Sequence, residues 1–313
     1  MTRKTSVYFL AILYAVLIGF SFLFTKLTLE VASPIDTMAY RFTISFGLLA
    51  IPVAAGWIKL GLNGRRLWRL LPVGLVYPAL FFGLQAGGLA ITASSEAGIF
   101  QATAPIFTLI LAALFLKECT TWLQRLSVVC SVGGVVFMIA MAGANISAAH
   151  VQGIVLLLAS ALMLAIYSVL ARSLSRSYTP LQLTFAMMLF GFISFAGLSI
   201  VQHAVRGGWS GLTEPLSHPS FVWSILYIGI LSSLVTALLS NYVLSKIKAS
   251  QMSVFVNLGT LVAILGGAVF LKEKLAYYHW IGAAMIIAGV LGANIRTRKP
   301  SSKAAPAAGG QTA

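Results

Sequence analysis

Acidic side chains are almost missing from this chain: 6 Asp and Glu stand against 21 Lys and Arg in 313 residues. Charge of either sign is scarce, at 9%, where soluble domains carry about 25%. Only two cysteines occur, Cys119 and Cys130, which excludes a disulfide framework. No Gly-x-x-x-x-Gly-Lys-[Ser/Thr] run exists, which excludes ATP drive from a P-loop in this chain. The four histidines, His150, His203, His218 and His279, are scattered without ligand spacing, so no metal or other cofactor is expected. No alternating ten-residue strand pattern is present, which argues against a membrane barrel. What fills the chain instead is 59% hydrophobic residues, with a mean hydropathy of +0.95. The net charge of +15 raises the question of nucleic acid, but that reading needs a basic patch on a soluble fold. The partner implied is the lipid bilayer, with no nucleic acid.

A hydrocarbon core about 30 Å thick takes about 20 apolar residues of helix. That length predicts ten spans, near 7–29, 35–57, 70–88, 93–116, 122–142, 152–171, 181–201, 221–243, 250–271 and 279–295. The longest connection is about 202–220, and the Ala-, Gly-, Ser- and Pro-rich tail, 300–313, is predicted to be disordered. Residues 1–29 do not read as a cleavable signal, because the apolar run is too long and no small-residue cleavage site follows. With the N-terminus inside, sixteen of the 21 basic residues fall on inner loops and ends. Only Arg206, Lys272 and Lys274 fall outside, and Lys26 and Arg41 lie within spans. Both termini are therefore predicted to be cytoplasmic.

The outer lysines carry information. Residues 95–118, SEAGIFQATAPIFTLILAALFLKE, align with residues 250–273, SQMSVFVNLGTLVAILGGAVFLKE, and the same offset of 155 joins Gly134-Val135 to Gly289-Val290. A weaker match sets Phe24-Thr25-Lys26 and Pro34 beside Leu170-Ala171-Arg172 and Pro180, at offset 146. Five spans per copy, an odd number, put the second copy in the membrane upside down. The expected fold is an all-α integral membrane protein of ten transmembrane helices in two inverted five-helix repeats, 1–148 and 149–299. Inverted repeats are a common architecture of secondary transporters, because two related halves can rock about a midplane site.

On these residues the chain resembles the EamA family of the drug/metabolite transporter superfamily. The resemblance covers about 7–295. It rests on Gly19, Ser21, Phe22 and Lys26 in the first span, Pro34 and Arg41-Phe42 at the second, and Ala104-Pro105 in the fourth. It rests further on the Lys117-Glu118 and Lys272-Glu273 exits, and on Gly133-Gly134 and Gly289 in the closing spans. Ile18 stands where the family often has Trp, Thr260 where the second repeat often has Pro, and the Lys-Glu exits replace a more usual Gly-Glu. The resemblance implies export or exchange of small metabolites, often amino acids, across a bacterial cytoplasmic membrane.

Ionisable groups inside spans cost about 2.5–3.5 kcal/mol each at a helix centre, so they are the first candidates. Lys26, one turn before Glu30, either snorkels and pairs at the interface or faces a central cavity. Arg41, about six residues and roughly 9 Å into its span, either ties helices together or contacts an anionic substrate group. Glu96, at the entrance of the fourth span, either complements the helix dipole or serves as a proton-coupling carboxylate. Glu118 and Glu273 read as boundary residues paired with Lys. Among neutral groups, Gln85, Gln101, Asn241, Tyr242 and Asn257 lie in otherwise apolar spans, where a buried amide either glues helices or lines a wet cavity. Tyr14, Tyr77 and Tyr167 offer aromatic walls, Ser21 is a further substrate contact, Pro105 a hinge, and Gly83 with Gly87 a close helix contact.

A membrane enzyme is the rival class. Gly208-Trp209-Ser210-Gly211 has a Gly-x-Ser-Gly form, but it falls in a polar loop with no facing histidine helix or dry oxyanion site. A passive facilitator needs a continuous polar path, and the polar residues here are few and clustered. The reading is a secondary transporter, monomer or homodimer, without cofactor. In it Gln85, Gln101, Asn241 and Asn257 bond a small polar substrate, and Arg41 or Lys26 attracts its carboxylate.

Overall fold

The computed structural model describes residues 3–115, 122–142, 147–206, 208–247 and 249–294. Lys117, Glu118, Cys119 and the 300–313 tail, all singled out above, lie outside the described residues. Of the described residues 86% are helical and none is in a strand, as expected of a chain whose lipid-facing backbone must satisfy itself.

The helices are α1 (Arg3–Leu29) and α2 (Pro34–Ala54), then α3 (Leu71–Ile91). The fourth apolar stretch is broken into α4 (Ser94–Gln101) and α5 (Ala104–Phe115). There follow α6 (Trp122–Ala142), α7 (Ala148–Leu174) and α8 (Pro180–Arg206). The chain closes with α9 (Pro219–Lys246), α10 (Ala249–Phe270) and α11 (Tyr277–Asn294). Six of these, α1, α2, α3, α7, α8 and α9, are long and apolar enough to cross a membrane by length and composition. Helix α8 runs past the predicted 181–201, and short turns at Ser210–Thr213 and Glu214–Ser217 occupy much of the 202–220 connection.

Local chemistry sets the helix starts. Ser33 Oγ accepts the Asp36 N–H at 3.1 Å, with Pro34 in the first turn of α2. Ser147 Oγ accepts the His150 N–H at 3.1 Å ahead of α7. Thr179 and Gln182 exchange bonds of 3.2 and 3.0 Å before α8, whose first residue is Pro180. Each cap satisfies an amide that the helix itself leaves bare, and proline lacks the amide that position cannot use.

Every tryptophan of the chain is exposed, and the six divide evenly. Trp57, Trp68 and Trp122 ring the face where α1 begins, and Trp209, Trp223 and Trp280 ring the face where it ends. Two such girdles are the aromatic belts of a bilayer-spanning protein. Between them Phe9, Ile51, Val129, Val155, Ile200, Leu265 and Val269 point outward, apolar surface that lipid covers.

Packing mixes antiparallel neighbours, such as α3 with α7 and α6 with α11, and parallel ones, such as α1 with α10. Helix α6 lies against α11, α1 against α10 and α9, and α7 against α3, α4 and α5. Helix α2 lies against α8 and α9, and α8 also against α3. The close approach of α3 and α7 depends on glycine, but at Gly88 and Gly153 rather than Gly83 and Gly87. A Cβ on Gly88 would stand 2.8 Å from Leu157 Cγ and 2.9 Å from the Gly153 carbonyl oxygen, whereas one on Gly83 would be 3.7 Å from Phe195. Backbone cannot step aside, so Gly88→Ala is expected to lower the thermal unfolding midpoint, at a cost of about 1–3 kcal/mol of overpacking. Gly83→Ala, measured in the same detergent melt, should leave the midpoint unchanged or raise it.

Two spans carry a π-helical turn near mid-length: Leu75–Leu80 in α3 and Tyr227–Val235 in α9. Tyr77, with φ −142° and ψ 110°, breaks the α3 ladder ahead of Pro78. Pro105, read as a mid-span kink, instead sits in the first turn of α5, and the chain bends at Ala102-Thr103 just before it. At the corresponding point α10 has Thr260 and is continuous.

Candidate functional site

The middle of the bundle holds an aromatic and amide cluster built from both halves of the chain. Tyr77 of α3 stacks on Tyr167 of α7, ring centroids 4.2 Å apart, and also meets Phe81 at 4.8 Å and Phe82 at 5.0 Å. Tyr167 Oη donates to Asn241 Oδ1 at 3.1 Å and shares a 2.9 Å bond with Ser240 Oγ, both on α9. Asn241 Nδ2 then donates to Thr184 Oγ1 of α8 at 3.0 Å. Below this network lies a small cavity of about 20 Å³, lined in part by Tyr14, Pro105, Thr108, Tyr167, Ser240 and Met252. It has room for a single water. The polar groups that line it are of the kind that orients ligands in otherwise apolar pockets.

Arg41 sits beside this cluster and is fully buried, its side chain enclosed by α2, α3 and α9. Its Nε donates to Ser233 Oγ at 2.5 Å, and Nη2 to Ser232 Oγ at 3.0 Å and the Ser232 carbonyl at 3.2 Å. The guanidinium lies 4.0 Å over the Phe82 ring. The π turn of α9 presents both serines: Ser233 Oγ reaches the Ile228 carbonyl five residues back, at 2.8 Å. Among the described residues no carboxylate pairs with Arg41, and its Nη1 has no hydrogen-bond partner. A buried cation without a counter-ion is costly, and a buried unpaired donor adds to the cost.

Lys26 plays a different part. Its Nζ donates to the Leu89 carbonyl at 2.8 Å and the Thr92 carbonyl at 2.6 Å, capping the end of α3, and it forms no pair with Glu30 within salt-bridge distance. Arg172 does the same elsewhere, its Nη1 donating to the Leu244 carbonyl near the end of α9 at 2.6 Å. Helix α7 begins beside Glu96 and runs 27 residues, about 40 Å at 1.5 Å per residue. The Arg172 tie is thus on the face opposite the Lys26 tie.

The other candidate residues are distributed as follows. Gln101 is buried in α4, its Oε1 accepting from Ser160 Oγ at 3.3 Å while its Nε2 has no partner. Gln85 is buried on α3. Ser21 is buried, and its hydroxyl donates to the Ile18 carbonyl of its own helix at 2.6 Å. Tyr242 stands apart, 38% exposed, its ring 5.7 Å from Lys246 Nζ. Asn257 has its backbone in α10, and its side chain lies outside the described residues.

The acids and histidines depart most from the sequence reading. Glu273 does not pair with lysine. Lys272, at φ 53°, turns the chain back after α10, and the Glu273 carboxylate accepts the Ser94 N–H at 2.7 Å, the Ser95 N–H at 2.9 Å and the Ser95 hydroxyl at 2.5 Å. It caps α4 from the segment between α10 and α11. Glu96 lies within 3.0 Å of His279 Nε2 and 3.5 Å of His150 Nε2, and accepts the Ala93 N–H at 3.3 Å. Asp36 bonds His203 Nε2 at 3.0 Å. Histidines far apart in sequence thus converge on carboxylates at one face, although among the described residues no three such groups are arranged to hold a metal ion.

Comparison with known proteins fits this architecture. The sequence pattern of the EamA-like transporter family matches residues 5–140 and, a second time, 151–295. The uncharacterized transporter YcxC of Bacillus subtilis is 44% identical over 301 residues, spanning 96% of each chain. A probable terminal-alkyne amino-acid exporter of Streptantibioticus cattleyicolor is 28% identical over 204 residues, 65% of each chain. A crystal structure at 18% identity superposes with a TM-score of 0.63, covering 92% of this chain and 96% of that one.

Proposed function

Because the chain belongs to the EamA-like transporter family, and is a multi-pass membrane transporter rather than an enzyme, we propose that it is an alternating-access carrier. It exports or exchanges a small polar metabolite of the amino-acid class, a reading supported by the amino-acid exporter among its relatives. Ten membrane crossings form two inverted repeats, 1–148 and 149–299, with α4 and α5 together making one crossing. The count of basic residues supports a cytoplasmic position for both termini.

The observation that carries the reading is a two-fold equivalence of contacts. Lys26 and Arg172, matched at offset 146, each cap one helix end, and the capped carbonyls Leu89 and Leu244 are themselves 155 residues apart. Helix α1 packs on α10 as α7 packs on α4 and α5, and α3 meets α7 as α9 meets α1. Ser131 Oγ bonds the carbonyl of its own counterpart, Ile286, at 3.0 Å, as an axis passing between α6 and α11 requires. The π turns of α3 and α9 correspond as well, Pro78 falling opposite Ser233. Two like halves exchange an outer tie for an inner tie at nearly equal energy, which is the thermodynamic condition for alternating access. Helices α6 and α11 brace the halves.

In this carrier the substrate ammonium and side chain lie among Tyr77, Tyr167, Gln85, Gln101, Asn241 and Asn257, and its carboxylate meets Arg41 Nη1. Ser21, Lys26 and Tyr242 serve packing and gating rather than contact, and the bend before Pro105 is the hinge. The test is counterflow in liposomes holding the purified full chain and a radiolabelled amino-acid mixture. Unlabelled substrate inside is expected to accelerate uptake of label. Flux indifferent to counter-substrate would replace the carrier by a facilitator.

A further inference from the structure

At the face where α1 ends, His203 of α8 is held between two acceptors. Its Nδ1 is 2.8 Å from the Gly208 carbonyl oxygen, and its Nε2 is 3.0 Å from Asp36 Oδ1 of α2. Asp36 Oδ1 also accepts from Ser199 Oγ at 2.5 Å, and Oδ2 from Ser33 Oγ at 2.7 Å. Both members are buried, with side-chain exposures of 8% and 4%. A carbonyl oxygen only accepts, so Nδ1 must carry a proton. A neutral ring then has a bare Nε2, whose lone pair would face a carboxylate oxygen. Both bonds exist together only if the pair holds one proton more than neutral imidazole plus carboxylate, either on Nε2 or on Asp36.

The other buried histidine pair has no such requirement. The Ala276 N–H donates to His279 Nδ1 at 3.1 Å, so Nε2–H donates to Glu96 Oε1 at 3.0 Å, and a neutral ring satisfies every bond. Glu96, the acid that its position in the sequence recommends for proton coupling, is complete without an added proton.

We propose that Asp36–His203 is the proton-binding site of this carrier, loaded with one proton in the closed state and emptied when α2 and α8 part. This rests on the carrier reading above. Loss of the proton removes the Nε2–Asp36 bond and leaves a carboxylate beside an imidazole lone pair, so occupancy and the α2–α8 contact are linked. These helices are counterparts in the two halves, so the site sits where the halves must move relative to each other. The ionisable groups around it are Tyr40, one turn along α2, whose hydroxyl donates to the Leu212 carbonyl, and His203 itself. The segment after α8 contributes the Gly208 carbonyl and the Trp209 ring, 6.1 Å from the imidazole. Among the described residues no Lys or Arg comes within ion-pairing distance of Asp36, and Glu214 and His218 pair with neither member.

The test reads the proton directly. Nitrogen-15 spectra of histidine-labelled full-length protein in nanodiscs, with His203 assigned by its loss in His203→Gln, should show both ring nitrogens protonated or a protonated Asp36 partner. In Asp36→Asn the Asn amide can donate to a bare Nε2, so a singly protonated, proton-indifferent ring is expected. In liposomes, a 1:1 coupled wild type should concentrate the radiolabelled amino-acid mixture about tenfold per pH unit of gradient, each unit being worth about 1.36 kcal/mol. Asp36→Asn should exchange label but concentrate it no more than about onefold. A neutral His203 beside an ionised Asp36 in wild type, or undiminished accumulation in Asp36→Asn, overturns the proposal. Absence of exchange in wild type defeats the carrier reading and the coupling role with it, while the spectrum still decides whether the pair binds the proton.

Discussion

Replacing Arg41 by Gln is expected to cut amino-acid exchange by up to about a hundredfold and to leave the amount of protein in the membrane unchanged. The size follows from the bond proposed: a charge-assisted contact to a carboxylate contributes up to about 3 kcal/mol, or roughly two decades in affinity. The companion measurement is the melting midpoint of the empty protein, and its direction separates two roles for the same residue. If Arg41 serves to hold helices together, removing it loses the bonds to Ser232 and Ser233 and the midpoint falls. If Arg41 waits for an anion, the empty protein carries an uncompensated buried cation and an orphaned Nη1, and Gln relieves both. The expected result is lost transport with a midpoint equal to or above wild type. Transport retained in Arg41→Gln removes it from the site.

Lys26→Ala and Arg172→Ala are expected to drive the protein in opposite directions. Each removes a charged hydrogen bond to a helix-end carbonyl, on one face only. Such bonds contribute about 1.5–3 kcal/mol, so each variant shifts the balance of outward- and inward-open forms by roughly one to two decades. Cysteine reporters placed on the two faces and labelled with a membrane-impermeant maleimide give the readout. Lys26→Ala should raise labelling on its own face and lower it on the other, and Arg172→Ala should do the reverse. The double variant should return near the wild-type ratio, because two equal biases of opposite sign cancel. Equal labelling changes on both faces in either single variant would mean general loosening and not a gate.

Apolar run length alone marks most of the helix positions, and of the two charge exceptions within spans Lys26 is half-buried and Arg41 fully buried. Tyr77, Tyr167 and Asn241 do converge. The sequence cannot separate Lys26 from Arg41, since both are cations within spans. Only the partners distinguish them, two carbonyls for one and an empty donor for the other. Ligand spacing is a local test and discounts the histidines, whereas helix packing brings His203 and Asp36 together across 167 residues. Small-residue spacing favours Gly83 and Gly87 over Gly88 because it does not say which face of a helix meets a neighbour. Pro78 and Pro105 show the same limit from the backbone side. Proline marks a place where a helix ladder fails, but Pro78 does so mid-span, at a π turn, and Pro105 sits harmlessly in a first turn. The Ser232-Ser233 pair, which receives Arg41, carries one usable signal: it stands 155 residues after Tyr77-Pro78.

The stretch matched at offset 155 to α10 is jointed between α4 and α5, whereas α10 is a single rod. In the proposed inverted repeat the halves match in topology and differ in stiffness, since bending at an existing break costs less than bending an intact helix. Opening toward one face is then the easier stroke. With no gradient applied, a carrier must still pass substrate at equal rates in both directions. Unequal stiffness shows itself instead as unequal apparent affinities from the two sides of the membrane, compensated by unequal maximal rates. If the proposed carrier reading holds, two copies of one motif acquire a resting side through a single joint.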